Sequence, residues 1–162
     1  MTSPLFIRKA AVLGAGVMGA QIAAHLTNAG VETLLFDLPA KEGPKNGIAT
    51  AAIKRLTKLK PAPLGTPAVA KAIIPANYDE HMDALRDCDL VIEAIAERMD
   101  WKLDLYKRVG AYLPGHAIIA SNTSGLSINT LAAALPAELQ HRFCGVHFFN
   151  PPRYMHLVEV TP

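Results

Sequence analysis

Two stretches of the 162-residue sequence place residue types at spacings that could do chemistry. The first is Gly14-Ala15-Gly16-Val17-Met18-Gly19, a G-x-G-x-x-G run between an apolar segment and a helix-like one, with Asp37 closing the next apolar segment. Each glycine has its own use there. Gly14 allows a tight turn, Gly16 lets the backbone approach a pyrophosphate, and Gly19 permits close helix–strand contact, while the helix N-terminus faces the anion. A carboxylate at Asp37 can accept both hydroxyls of a ribose and repels a 2′-phosphate, which favours NAD over NADP. The fingerprint by itself fits FAD as well, and such glycines can also serve only to pack a helix on a strand.

The second stretch runs from Ser121-Asn-Thr-Ser124 through His147-Phe-Phe-Asn150 to Glu159. Apolar segments at 143–149 and 156–161 are joined by about six residues, too few for a parallel crossover, so an antiparallel hairpin is expected. A turn centred on Arg153 puts His147 opposite Glu159, with their Cβ atoms roughly 4.5–5.5 Å apart. The carboxylate would fix the imidazole's tautomer and leave its other nitrogen facing a cleft, which makes a general base. The same pair could equally do no more than stabilise a hairpin. His147 falls at the carboxyl end of its strand, the end at which open α/β sheets bind ligands. His25, His81, His116 and His141 have no partner in a predictable register and read as structural or solvated. His156 falls in the last strand, out of phase with Glu159.

The elements that must carry these residues follow from the apolar pattern. Strands are expected at 6–13, 31–37, 89–96, 117–121, 143–149 and 156–161, with a weak one near Ile73-Ile74, and helices at 18–29, 47–59 and 98–113. Strands alternating with helices imply an α/β fold: a Rossmann-type, doubly wound, mostly parallel sheet with an antiparallel C-terminal hairpin. Lys60–Pro67, with three prolines and a glycine, is a loop rather than a domain linker. The expected organisation is a single dinucleotide-binding domain over 1–162. Because the sequence stops after a strand that nothing covers, a partner domain outside this sequence is also expected.

Composition narrows the partners. The chain is 51% hydrophobic and 19% charged, with a formal charge of +2 and no Lys/Arg-dense stripe, so neither nucleic acid nor an anionic membrane is an expected partner. Cys88 and Cys144 stand in no metal or redox spacing and read as buried free thiols, and no metal site is expected. Arg8-Lys9 before the apolar run 10–20 imitates a secretory signal, but Gly14, Gly16 and Gly19 interrupt it. A soluble, cytoplasmic protein is the expectation.

On Gly14–Gly19, Asp37, Val91-Ile-Glu-Ala-Ile-Ala-Glu97, Lys102, Ser121-Asn-Thr-Ser124, His147-Phe-Phe-Asn150-Pro and Leu157-Val-Glu-Val160, the chain resembles the N-terminal, NAD-binding domain of the L-3-hydroxyacyl-CoA dehydrogenases of fatty-acid β-oxidation. The resemblance covers nearly all of it. It implies hydride transfer from C3 of an (S)-3-hydroxyacyl-CoA to NAD, with His147 and Glu159 as the catalytic dyad and Ser124 bonded to the reacting oxygen. It also implies that Asn150 holds the nicotinamide end, that Glu97 and Lys102 contact the cofactor's ribose and nicotinamide side, and that Lys58 meets a phosphate of CoA. A serine position on the CoA-contacting helix is occupied here by Ala51. Such enzymes have a helical C-terminal domain that supplies an Asn, covers the acyl chain and makes the dimer contact. None of it lies in these 162 residues, so acyl-CoA, that domain and a second copy are the implied partners, and little turnover is expected of this chain alone. A non-catalytic NAD-binding module and a dehydrogenase of a free hydroxy acid are the alternatives. Without the resemblance, Lys102 reads as a solvated helix charge, and Ser124 as a loop residue or a cap competing with Ser127.

Overall fold

In the computed structural model, which describes residues 6–162, the apolar segments become seven strands. They are β1 (Lys9–Leu13), β2 (Glu32–Asp37), β3 (Ile73–Asn77), β4 (Leu90–Glu93), β5 (Ile118–Ser121), β6 (Phe143–Phe148) and β7 (Val158–Thr161). They form one sheet in the order β3-β2-β1-β4-β5-β6-β7, in which the first six run parallel and β7 returns antiparallel to β6. The expected Rossmann-type sheet with its C-terminal hairpin is therefore present.

Both faces of the central strands β2, β1, β4 and β5 are covered, which is why these strands read as unbroken apolar runs rather than alternating ones. Val12, Leu35, Ile92 and Ala120 pack on one side with α1 (Val17–Asn28) and α2 (Gly47–Leu56). Ala11, Leu13, Leu34, Phe36, Val91 and Ile119 pack on the other with Leu105, Tyr106 and Val109 of α3 (Met99–Val109). Gly30, at φ +84°, turns the chain out of α1 into β2, a conformation that glycine adopts without a Cβ penalty.

Several boundaries differ from expectation for local reasons. β4 stops at Glu93 instead of Ala96, because the Glu93 carboxylate accepts the Ile95 N–H and turns the chain away from the sheet. α2 stops at Leu56, three residues early, where the chain tightens into Lys58 N–H to Arg55 carbonyl and Leu59 N–H to Leu56 carbonyl bonds. The hairpin connection is 149–157, longer than six residues, and it is pinned from outside. Arg153 Nη1 donates to the Ala62 and Leu64 carbonyls at 2.9 and 2.7 Å, and the Tyr154 hydroxyl to Ala62 at 2.7 Å. His156 consequently lies in this connection and not in β7. Two short helices, α4 (Ile128–Ala132) and α5 (Ala137–Gln140), fill the crossover from β5 to β6 without having been expected. Cys88 is buried, but Cys144 is only partly so; both are free, and burial pushes the Cys88 thiol up to about 12. Among the described residues, no helix is long and apolar enough to cross a membrane, and no cluster could hold a metal ion.

Candidate active site

The carboxyl ends of β1, β2, β4, β5 and β6 share one edge of the sheet, and every chemistry-bearing residue singled out in the sequence, apart from Lys58, gathers along it. At the end of β1, Gly14 sits at φ +109°, and its N–H donates to the Phe36 carbonyl at 2.9 Å, tying the turn to β2. A Cβ on Gly19 would stand 1.8 Å from the Gly14 carbonyl oxygen, so the first turn of α1 closes on the loop only because that carbon is missing. A Cβ on Gly16 would meet nothing within 4 Å. Its backbone is open on the outside, as an approaching pyrophosphate requires. Asp37 Oδ2 accepts the Ala15 N–H at 2.7 Å and Oδ1 the Leu38 N–H at 2.7 Å, which fixes the carboxylate at the mouth of the loop.

Gly16 divides two clefts of about 490 Å³ each. One is walled by Leu38, Ile95, Ala96 and Trp101, with Asp37 at its edge, a shape suited to an apolar planar base with a ribose beside it. Val17, Gln21, Arg55, Lys60 and Asn150 line the other, and Asn150 Oδ1 is held there by Gln21 Nε2 at 3.1 Å. Lys58 is exposed and is not in that wall; the cations facing it are Arg55 and Lys60. The donors, the bare Gly16 backbone and the carboxylate together fit a dinucleotide.

Across the hairpin, His147 and Glu159 are paired in register, as the spacing required. His147 Nδ1 lies 3.0 Å from Glu159 Oε2, and Nε2 lies 3.2 Å from the Ser124 hydroxyl. With the carboxylate on Nδ1, that nitrogen carries the proton and Nε2 is left as the acceptor. Both side chains and Ser124 border a groove of about 380 Å³. The Phe148 N–H donates to Asn122 Oδ1 at 2.8 Å, locking β6 to the loop that carries Ser124.

A third group centres on Glu93, which was not singled out in the sequence. Glu93 is buried at the end of β4, and its carboxylate receives four donors: Lys102 Nζ at 2.6 Å, the Ile95 N–H at 2.7 Å, the Tyr106 hydroxyl at 2.9 Å and the Ser121 hydroxyl at 2.6 Å. Burial first and the Glu93 charge second push the Tyr106 phenol up, so it remains a donor. Lys102 is no solvated charge: it is buried on α3, with Glu97 Oε2 3.7 Å away on its other side. Glu97 Oε1 in turn accepts from the Thr123 hydroxyl and from the Ser124 and Gly125 N–H groups. Burial alone would raise the Glu97 carboxyl, but these three bonds and the Lys102 charge outweigh it and hold it below the usual carboxylate range. The signal that could have revealed Glu93 was a lone acid at the end of an otherwise apolar strand.

The family model described as "3-hydroxyacyl-CoA dehydrogenase, NAD binding domain" matches residues 9–162. The chain belongs to this family. A protein from Deinococcus radiodurans named as a 3-hydroxyacyl-CoA dehydrogenase is 45% identical over 157 residues, which are 96% of this chain and 45% of that protein. A fatty acid oxidation complex trifunctional enzyme of Rickettsia felis is 44% identical over 155 residues, 95% of this chain and 22% of its own length. Among solved structures, the 3-hydroxybutyryl-CoA dehydrogenase of Escherichia coli K12 superposes with a TM-score of 0.77 at 33% identity, over 96% of this chain and 32% of that one. The chain spans less than half the length of these relatives.

Proposed function

We propose that the chain is the cofactor-binding and proton-accepting part of an NAD-dependent dehydrogenase that oxidises (S)-3-hydroxyacyl-CoA to 3-ketoacyl-CoA. The observation that carries this reading is His147 held between two partners, Glu159 on Nδ1 and the Ser124 hydroxyl on Nε2. An alcohol does not lose its proton unaided near neutral pH, and an imidazole positioned to take it contributes about 10²–10⁴-fold. His147 Nε2 takes the hydroxyl proton, and Glu159 stabilises the imidazolium that results. Ser124 bonds the same oxygen as it becomes a carbonyl. NAD, when bound, supplies the hydride acceptor. Gly14 to Gly19 and Asp37 would hold its pyrophosphate and adenosine ribose, with Glu97 and Asn150 toward the nicotinamide end.

The relatives' names support a CoA thioester as substrate and fatty-acid oxidation as the setting. Arg55 and Lys60, which face the cleft beside Asn150, are better placed than Lys58 for a CoA phosphate. The acyl chain needs a cover that these residues do not make, and a helical partner domain with a second copy of the chain fits that need. Calorimetric titration should show NADH binding to the folded chain, with very weak turnover of acetoacetyl-CoA. His147→Gln should abolish that turnover and leave NADH affinity within twofold. A folded chain that does not bind NADH refutes the cofactor assignment. Full-rate turnover refutes the need for a partner domain, and turnover untouched by His147→Gln removes the base.

A further inference from the structure

Lys102 stands between two carboxylates of different kinds. Glu93, on its inner side, is buried and satisfied by four donors from the turn after β4, from α3 and from β5. Glu97, on its outer side, is half exposed and grips the loop after β5 through three donors at consecutive residues, Thr123, Ser124 and Gly125. The Lys102 side chain is only 1% exposed, so it does not reach solvent or a ligand in the adjoining clefts. What it does reach is Glu97 Oε2 at 3.7 Å and the Ile95 carbonyl at 3.5 Å, both on the segment that leads from β4 to α3.

We propose that Glu97, with the buried Glu93–Lys102 pair behind it, is a clamp that sets the position of the Ser124 hydroxyl against His147. Lys102 and Glu93 are then positioning residues for that loop. The route is short: its links are hydrogen bonds except the one from Lys102 to Glu97, which is an ion pair at 3.7 Å. Glu93 fixes Lys102, Lys102 holds the Glu97 carboxylate by charge, Glu97 Oε1 takes the Ser124 N–H at 2.9 Å and the Gly125 N–H at 3.0 Å, and the Ser124 hydroxyl meets His147 Nε2 at 3.2 Å. Bonds from backbone N–H groups to an ionised carboxylate are shorter and stronger than neutral ones, so the loop is held more firmly by Glu97 than a glutamine could hold it. A catalytic hydroxyl displaced by about 1 Å loses on the order of 10²-fold in rate, which gives such a clamp its value. This rests on the proposed role of His147 and Ser124, but the bonds that define it do not.

The test uses the 162-residue chain, isotope-labelled, with resonances read for the Ser124 and Gly125 amides and for the His147 ring nitrogens. In the parent, both amide protons should shift together as pH falls and Glu97 is protonated. Glu97→Gln should abolish that titration, speed hydrogen exchange at the two amides at least tenfold, and change the Nε2 signal of His147. The double variant Glu93→Gln/Lys102→Met removes both buried charges at once and should raise the midpoint of the amide titration. Amides that do not titrate in the parent, or a Glu97→Gln chain with unchanged exchange and an unchanged His147 signal, overturn the clamp. An unmoved midpoint in a folded double variant overturns the part given to Lys102. NADH titrated into the same samples separates the two readings. A parent with a titrating clamp and no NADH binding sinks the proposed function alone, whereas a Glu97→Gln chain that keeps its loop and His147 signals refutes the clamp and leaves the proposed function standing.

Discussion

Alanine substitution at two glycines of one loop should have opposite consequences. In Gly19→Ala the new carbon would lie 1.8 Å from the Gly14 carbonyl oxygen and 3.0 Å from its carbon. Both are backbone atoms of the turn, so no side chain can swing aside, and either α1 must move off β1 or the loop must open. Overpacking of this kind costs about 1–3 kcal/mol, and contact with backbone places it at about 3 kcal/mol. For a domain of this size that lowers Tm by about 6–12 °C. In Gly16→Ala the carbon meets nothing within 4 Å, and Gly16 has φ −69°, which alanine adopts freely. Stability should hold or rise by about 0.4–1 kcal/mol through the less flexible unfolded chain. The added methyl instead occupies the face that a pyrophosphate must approach, so NADH affinity should fall at least about tenfold, or about 1.4 kcal/mol. Urea denaturation and NADH fluorescence titration on both variants supply the four numbers. A Gly16→Ala chain that binds NADH like the parent would refute the placement of the dinucleotide, and a Gly19→Ala chain as stable as the parent would refute the contact that makes the loop.

Lys102→Met should be the costlier single change at the inner end of the site. It leaves the Glu93 carboxylate, 0% exposed, without its counter-ion, a loss of about 3–5 kcal/mol that urea denaturation at neutral pH will read. Adding Glu93→Gln should restore most of it, and a single variant of parental stability would show that Glu93 is neutral or hydrated. Asp89 governs an acid limb of stability. Its carboxylate accepts the Arg8 and Lys9 N–H groups, and these bonds hold its pKa below the ordinary value. Its contribution is therefore complete above the unfolded-state value of about 3.9 and is lost as pH falls through the lower folded value. Asp89→Asn should lower stability at pH 7 and flatten its decline below about pH 4; denaturation profiles that stay parallel at low pH would exclude the bonds to Asp89 as the cause.

How much of this was legible in the chain depended on whether a partner lay at a fixed offset. The period of two in a hairpin ties His147 to Glu159 wherever the turn is centred on Arg153, and the pairing held even though the connection proved longer. The glycine run was legible because a turn, a bare backbone and a close approach are demanded at fixed positions within six residues. Glu93 and Lys102 offered no such offset. A Lys among Asp100, Trp101 and Asp104 looks like one more charge on a solvated helix face, and only the fold brings Ser121 and Tyr106 to the same carboxylate. Lys58 lies past the end of α2, which stops early, and the cations that line the cleft are Arg55 and Lys60. The four- and five-residue helices α4 and α5 are too short for a period of 3.6 to show.

The outermost strand gives Glu159 a second occupation. Among the described residues, Val158-Glu159-Val160-Thr161 forms one margin of the sheet, with Val160 65% exposed and a single charged group, the carboxylate that faces His147. An unpaired margin rich in β-branched residues invites the addition of another chain, and a charge placed on it is a gatekeeper against that event. The residue that pairs with His147 is thus also the one charge on that margin. Neutralising it to probe the chemistry also removes that charge, and light scattering recorded beside each rate tells a lost base from aggregation.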